Sequence, residues 1–146
     1  MRALLQRVSW ANVVVSGSEV GSVEQGLLIF LGIRKGDTQS AADYLAEKIA
    51  HLRIFEDEAG KMNLDCKQSE GNALVVSQFT LYADTRKGRR PAFTDAEEPE
   101  KAKTLYEYFC EQLRQKGIPT ETGQFAAHML VSLQNDGPVT ILIDSP

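Results

Sequence analysis

The first third of the chain has the residue pattern of β-strands. Ala3–Trp10 and Val13–Val15 predict two extended segments, and the polar group Ser16–Glu19 predicts a turn after them. The chain returns through Val20–Val23 to the apolar run Leu27–Leu31. Because that run contains no polar residue, we expect a strand that is buried on both faces.

A helix and a hairpin are predicted next. Apolar residues recur at helical spacing from Ala41 to Leu52, and either Asp37 or Thr38 can cap the start of that helix. The turn-rich residues Asp57–Lys61, which lie between short apolar groups, predict a hairpin.

The strongest strand pattern in the chain is Ala73–Tyr82, which is rich in β-branched and aromatic residues. We expect a loop over Ala83–Glu98 after it. A second amphipathic helix is expected to begin at Pro99 and to stop at Gly117.

The C-terminal residues return to strand alternation. Met129–Gln134 alternates, Asn135–Pro138 interrupts the pattern, and Val139–Ile143 completes it. Two widely separated helices are too few for repeated β-α-β winding. The sequence therefore predicts a single-domain α/β fold over residues 1–146, in which a mixed, largely antiparallel, curled β-sheet is backed by two helices.

Composition narrows the classes of function. The formal net charge of -4 argues against a protein that coats nucleic acid with its whole surface, although it is compatible with a local basic patch. Cys66 and Cys110 lie far apart, and only His51 and His128 accompany them, so metal-ligand spacing is absent. We expect reduced thiols, no bound metal and no cofactor.

The N-terminal residues MRALLQRVSW do not form the apolar core of a secretion signal, because Gln6 and Arg7 interrupt them. No apolar run is long enough to cross a bilayer. We therefore expect a cytoplasmic protein with no membrane partner.

Polar residues lie inside the most apolar predicted strand, at Ser77, Gln78 and Thr80. A polar group left unsatisfied there would cost about 1–3 kcal/mol. These side chains therefore either bond to neighbouring backbone or line a pocket. Ser77 lacks the flanking glycines of a hydrolase nucleophile elbow, and only the fold can bring His128 to it.

Two further segments allow more than one interpretation. Asn135–Pro138 has the residues of a plain turn, but a Gly-Pro pair also exposes two carbonyl groups at close range to a ligand, and its peptide bond can be cis. Arg86–Pro91 gathers four cations around a glycine, as in a solvated loop or a phosphate-binding loop. A ligand that reacts near Ser77–Thr80 could lay its phosphates across that loop. Neither Gly-rich nucleotide fingerprint occurs in the chain.

Four segments stand out together. They are SQFTLYAD at Ser77–Asp84, KGRRPAF at Lys87–Phe93, TGQFAAHM at Thr122–Met129 and NDGPVT at Asn135–Thr140. With the opening MRALLQRV, they resemble the D-aminoacyl-tRNA deacylase family over essentially the whole chain. The pairing of SQFT with NDGPVT is more specific than either motif alone, whereas Tyr82 and His128 are not diagnostic of the family.

The resemblance implies a homodimeric hydrolase that cleaves the ester between a D-amino acid and the 3′-terminal adenosine of tRNA, as chiral proofreading in translation. Glycine mischarged on tRNA is implied as a second substrate. The partners are then the aminoacylated tRNA 3′ end and a second copy of the chain, with active sites shared between the two.

The resemblance also implies the roles of particular residues. The catalytic pocket is assigned to Ser77, Gln78, Phe79 and Thr80. Substrate binding is assigned to Phe125, Ala127 and Met129, and to Gly137 and Pro138, whose cis bond enters the pocket of the opposite subunit. For contact with tRNA we expect Lys87, Arg89 and Arg90.

An aminoacyl ester is already activated, so it needs mainly a positioned water and stabilisation of the developing oxyanion. We expect backbone N–H groups near Phe79 and Thr80 to supply that stabilisation, with the ribose 2′-hydroxyl assisting. Thr80 as a covalent nucleophile would need an adjacent base, and the sequence places none beside it. The alternatives are a non-enzymatic nucleic-acid-binding dimer that uses Arg86–Arg90 and a small-ester hydrolase that uses Ser77.

Overall fold

The computed structural model describes all 146 residues, which form a strongly curved sheet with two helices packed against it and a separate two-stranded hairpin. The strands are β1 (Arg2–Val15), β2 (Ser18–Val23), β3 (Gly26–Gly32), β4 (Phe55–Glu56), β5 (Met62–Leu64), β6 (Asn72–Ser77), β7 (Thr120–Thr122) and β8 (Leu130–Asp144). The helices are α1 (Gln39–Ala50) and α2 (Pro99–Gln115), and a short 3-10 turn spans Phe79–Tyr82.

The main sheet has six strands. Its order is β2-β1-β3-β6-β7, and β8 pairs with β1. All pairings of β1 are antiparallel, whereas β3-β6 and β6-β7 are parallel. The sheet curls until β2 meets β7, where a Cβ atom on Gly21 would lie 2.5 Å from the carbonyl oxygen of Thr122. The expected mixed, largely antiparallel, curled sheet with two helices is therefore confirmed.

The apolar residues form two cores on opposite sides of this sheet. The larger core lies between the sheet and the helices and contains Leu45 and Ile49 of α1 with Phe109 and Leu113 of α2. The smaller core fills the inside of the curl. Residues of β3 contribute to both cores, so its predicted burial on two faces is confirmed. Cys66 and Cys110 are buried free thiols, and burial raises the pKa of each to about 12.

The first two predicted strands are one strand. β1 is continuous because its two halves have different neighbours on one side, β3 along Arg2–Val8 and β2 along Ala11–Val15. Its register against β8 shifts near Val8 and Trp10, which is where the residue pattern suggested a break. The short strand β7 carried no clear pattern and was missed.

The predicted strand Ala73–Tyr82 is wrong in its second half. β6 stops at Ser77, and the N–H of Gln78 makes a last bond of 2.9 Å to the carbonyl of Leu31. Its parallel partner β3 ends at Gly32, so the following residues have no neighbour with which to continue a ladder. They form the 3-10 turn instead.

The predicted interruption at Asn135–Pro138 falls inside β8, which runs from Leu130 to Asp144, but pairing with β1 does break there, because Val8 pairs with Asn135 and Gln6 with Thr140. The side chain of Asn135 replaces the missing ladder partners: its amide donates to the carbonyl of Val139 at 3.1 Å, and its oxygen accepts from the Val139 N–H at 2.8 Å. The segment is therefore an irregularity within a strand and not a turn. Neither α1 nor α2 has the length and apolar character needed to span a membrane.

Candidate active site

A cavity of about 670 Å³ lies where β6 ends, between the 3-10 turn, the start of α2 and the segment that leads into β8. Its lining includes Ser77, Gln78 and Phe79 from one wall and Phe125, Ala127 and Met129 from the other. Six of the predicted site residues therefore meet in one place.

The 3-10 turn is held close to the end of β3. A Cβ atom on Gly32 would lie 3.1 Å from the carbonyl oxygen of Gln78 and 3.2 Å from the Cβ of Leu81, so a larger residue there would have to push the turn away slightly. The Leu81 N–H bonds back to the Gln78 carbonyl at 3.2 Å. The Gln78 side-chain amide donates to the hydroxyl of Thr80.

This arrangement leaves donors free at the start of the turn. The first N–H groups of a helical turn have no partner within it, and here they belong to Phe79 and Thr80. The Phe79 side chain is 55% exposed and packs edge-on against Phe93, with ring centroids 5.0 Å apart. An exposed aromatic pair thus lies beside two unpaired amides at the cavity.

The opposite wall is tied to β6 by polar contacts. The Tyr106 hydroxyl and the Gly123 N–H both donate to the carbonyl of Val75, at 2.7 and 3.0 Å. The Phe125 ring packs on Tyr106, with centroids 5.8 Å apart. These contacts fix the wall relative to the strand that carries Ser77.

His128 lines the cavity but makes no hydrogen bond to Ser77. The structure therefore contains no Ser-His pair of the kind that a serine esterase needs. Thr80 is exposed and is not part of the cavity lining, and its hydroxyl bonds to Gln78. No base contacts it.

The cavity also has ionisable residues that the sequence reasoning missed, namely Lys35, Glu97 and Glu98. The Glu97 carboxylate accepts bonds from Lys101 at 2.6 Å and from the N–H groups of Glu98 and Gly36. The ion pair with Lys101, aided by these N–H groups, lowers the pKa of Glu97. The carboxylate thus clamps the loop after β3 to the start of α2. No three His, Cys, Asp or Glu side chains lie close enough together to hold a metal ion.

Gly137 and Pro138 do not line the cavity of their own chain. Their peptide bond is cis, and both residues are exposed. Arg7, only 5% exposed, holds the segment from behind: its guanidinium donates to the carbonyl of Asp136 at 2.8 Å and to that of Ile54 at 2.7 Å. A charged residue inside an apolar strand was the one sequence signal for this role.

The basic loop begins and ends at the cavity rim. Backbone bonds of 2.7 and 3.0 Å between Asp84 and Ala92 close its base, next to Phe93. Arg86 is engaged by Asp84, and this pairing lowers the pKa of Asp84 to about 2. The other cations of the loop, Lys87, Arg89 and Arg90, are exposed and form no ion pair.

With this geometry in view, the chain was compared with known proteins. A family model described as D-Tyr-tRNA(Tyr) deacylase matches residues 4–144. The chain belongs to the D-Tyr-tRNA(Tyr) deacylase family. Curated relatives named D-aminoacyl-tRNA deacylase include one from Thermotoga petrophila, 59% identical over 99% of this chain and 97% of the relative. Another, from Thermomicrobium roseum, is 60% identical over 99% of this chain and 94% of the relative.

Solved structures share the fold of this deacylase family member along its whole length. One titled "c-Myc DNA Unwinding Element Binding Protein" is 42% identical, covers 100% of this chain and 99% of its own, and has a TM-score of 0.95. A probable eukaryotic D-amino acid tRNA deacylase has a TM-score of 0.85 over 98% of both chains at 18% identity, which shows the fold alone.

These findings confirm the resemblance to the deacylase family and the expectation of an enzyme. The activity supported is hydrolysis of the ester in D-aminoacyl-tRNA. The roles of Ser77–Thr80, of Gly137 and Pro138 and of the basic loop are predictions for this chain.

Proposed function

We propose that this chain hydrolyses D-aminoacyl-tRNA in the cavity beside the 3-10 turn and rejects L-aminoacyl-tRNA through Gly137 and Pro138 of a second copy. The observation that carries the proposal is the complementary placement of the two motifs. The 3-10 turn has free amides at Phe79 and Thr80 beside the cavity, while Gly137 and Pro138 are exposed and do not line it.

The chemical step needs little beyond what the turn offers. The unpaired N–H groups of Phe79 and Thr80 suit the oxygen that becomes negative when water attacks the ester carbonyl. Ser77 lines the same cavity and can orient the water or the ribose. Because no base contacts the Thr80 hydroxyl, hydrolysis assisted by the substrate's 2′-hydroxyl fits better than a covalent intermediate on Thr80.

The proposed partner subunit would dock on the outer face of β1 and β8. Trp10 and Leu130 are 42% and 60% exposed on this face. β8 pairs with β1 alone, so its other edge has free backbone donors and acceptors. A two-fold axis through this face would offer the Gly137–Pro138 segment of each subunit to the other.

Selection of the D form follows from exclusion. Backbone carbonyls of Gly137 and Pro138 can accept bonds from the substrate ammonium while occupying the volume that an L side chain requires. Glycine has no side chain to exclude, so glycine on tRNA should also be cleaved. This is the chemistry of chiral proofreading in translation, and since aminoacyl-tRNA is used in the cytoplasm, we place the enzyme there.

Contact with the tRNA backbone is proposed for Lys87, Arg89 and Arg90, because they are the unpaired cations of a loop anchored at the cavity rim. Replacing Arg89 and Arg90 by Ala should weaken tRNA binding and reduce its dependence on salt concentration. An unchanged salt dependence would place the tRNA elsewhere on the surface.

The deciding experiment measures the release of D-tyrosine, L-tyrosine and glycine from charged tRNA. We expect release of D-tyrosine and glycine but not of L-tyrosine. Equal release of the two tyrosine enantiomers would contradict the exclusion by Gly137 and Pro138. Activity per chain should fall on dilution below the dimer dissociation constant, whereas a fully active monomer would contradict the shared site.

The basic loop also supports a second candidate, a nucleic-acid-binding protein without catalysis. A solved structure 42% identical to the chain is titled as a DNA unwinding element binding protein. Salt-sensitive binding to uncharged tRNA or duplex DNA, together with no deacylation of any charged tRNA, would favour that function over ours.

A further inference from the structure

Arg2 links the two ends of the sheet to the turn that carries Phe79 and Thr80. It stands at the start of β1, opposite Asp144 at the end of β8. Its Nε donates to Asp144 Oδ1 at 2.7 Å and its Nη2 to Oδ2 at 3.0 Å. This two-point contact fixes the plane of the guanidinium.

The third nitrogen of the same guanidinium reaches the 3-10 turn. Nη1 donates to the carbonyl of Leu81 at 3.1 Å. The guanidinium carbon also lies 5.3 Å from the ring centroid of Tyr82, within the range of a cation-π contact. Arg2 therefore contacts the C-terminal end of the turn at two points, the backbone carbonyl of Leu81 and the ring of Tyr82.

The N-terminal end of the turn is held separately. Gln78 bonds to Leu31 through its N–H, and its carbonyl packs over Gly32. With Gln78 fixed at one end and Leu81 at the other, the amides of Phe79 and Thr80 between them have little freedom to rotate. A turn of four residues without the second anchor would have only its own weak i to i+3 bonds.

We propose that Arg2, oriented by Asp144, is a positioning residue for deacylation, since it fixes the turn whose amides receive the oxyanion. This inference rests on the proposed function of that turn. Arg2 touches no part of the cavity itself, so its effect on the reaction is transmitted through Leu81 and Tyr82.

The arrangement requires arginine. Its planar fork places two nitrogens on a carboxylate and a third on a carbonyl at once, and its flat face suits an aromatic ring. A lysine ammonium at position 2 retains the charge but cannot keep all of these contacts. Arg2→Lys should therefore lie between the wild type and Arg2→Met in every measurement.

The first measurement is steady-state deacylation of D-tyrosyl-tRNA. We expect Arg2→Met to lower kcat about tenfold and to change KM by less than about twofold, because misplaced donors weaken the transition state more than binding. The matched control is Arg53→Met. Arg53 also donates to a backbone carbonyl, that of Asn63 in β5 at 2.8 Å, but it lies just before β4 and contacts no part of the 3-10 turn. The control should leave kcat unchanged.

The second measurement is amide hydrogen exchange at Leu81 and Ala83, whose N–H groups bond to Gln78 and Thr80 within the turn. Arg2→Met should speed their exchange about tenfold and leave the amides of α1 unchanged. Wild-type kcat in Arg2→Met, or equally faster exchange in α1, would overturn the proposal.

The proposal stays testable if Arg2→Met does not fold or if the wild-type protein is inactive. If Arg2→Met does not fold, Asp144→Asn takes its place with the same expected loss of kcat, because it removes the carboxylate charge that orients Arg2. If the wild-type protein releases no D-tyrosine, the proposed function fails. The exchange at Leu81 and Ala83 then still decides whether Arg2 orders the turn.

Discussion

The 3-10 turn Phe79–Tyr82 and the Gly137–Pro138 segment differ in their surroundings. The turn lies beside a cavity lined by residues of its own chain, whereas Gly137 and Pro138 are exposed and are held by Arg7 from behind and by the bonds between Asn135 and Val139. The turn adjoins a space that a ligand can occupy, whereas Gly137 and Pro138 adjoin no cavity in their own chain and face outward. If both segments contribute to one active site, substitutions in either segment should lower activity, and each segment can be tested separately.

The largest effect is expected from Gly137→Ala. Gly137 has φ of +154°, and an added Cβ would lie 2.7 Å from the N–H nitrogen of Val139, so the exposed segment must shift. A misplacement of about 1 Å at a reacting centre costs about 100-fold in rate, and we expect a loss of that order. Deacylation of D-tyrosyl-tRNA by the variant measures it.

Gly60→Ala is the matched control for that substitution. Gly60 also has a positive φ, +72°, but a Cβ there meets nothing within 4 Å. It should lose stability without losing kcat. Wild-type activity in Gly137→Ala would show that the exposed segment plays no part in the reaction.

The next effect is expected from Arg7→Met, which removes two hydrogen bonds from a buried cation to the carbonyls of Asp136 and Ile54. We expect the free energy of unfolding to fall by about 2–3 kcal/mol. The ratio of D-tyrosine to L-tyrosine release should fall more than kcat, since the segment loses its support and the cavity does not. Loss of stability at an unaltered ratio would make Arg7 purely structural.

A smaller effect is expected in the cavity half from Thr80→Val. This change deletes the hydroxyl that accepts from Gln78 but keeps the branched shape. Activity should stay within about tenfold of wild type, whereas a covalent nucleophile would lose essentially all turnover. Thr104→Val on α2 serves as control, and an aminoacyl ester trapped on Thr80 during turnover, seen by mass spectrometry, would refute the non-covalent scheme.

The smallest effect is expected from Glu97→Gln, as a difference in Tm that depends on pH. Because pairing with Lys101 lowers the pKa of Glu97 in the folded state, the carboxylate stabilises the fold above the ordinary glutamate pKa of about 4.3. That contribution disappears as pH falls through the lowered folded-state pKa. The Tm of Glu97→Gln should therefore be below that of wild type at pH 7 and converge with it as the pH falls through the lowered pKa of Glu97. A constant Tm difference between Glu97→Gln and wild type at all pH values would argue against the clamp.

Much of the architecture was readable from local patterns. The burial of β3 on both faces, the two amphipathic helices and the hairpin each follow from residues within one segment, because hydrophobic periodicity and turn chemistry are local properties. The family resemblance likewise came from short motifs in order along the chain. These parts needed no knowledge of which segments become neighbours.

The errors have one physical cause, which is that pairing partners lie far apart in the sequence. Leu81 and Tyr82 have strand-forming character, but β3 ends before it can pair with them. Asn135 has turn-forming character, but its side chain bonds to Val139 and the strand continues. In both places the availability of a neighbour outweighed local propensity.

The sequence by itself determined the family, the fold class and the SQFT motif beside the cavity, because each was inferred from patterns within short continuous segments. Only the tertiary structure decided that Arg7 supports Asp136, that Glu97 joins the loop after β3 to α2, and that Arg2 spans Asp144 and Leu81. Arg7, Glu97 and Arg2 each bond to a residue more than 50 positions away. A charged side chain in the sequence carries no signal of which distant polar group the fold will bring within hydrogen-bonding distance of it.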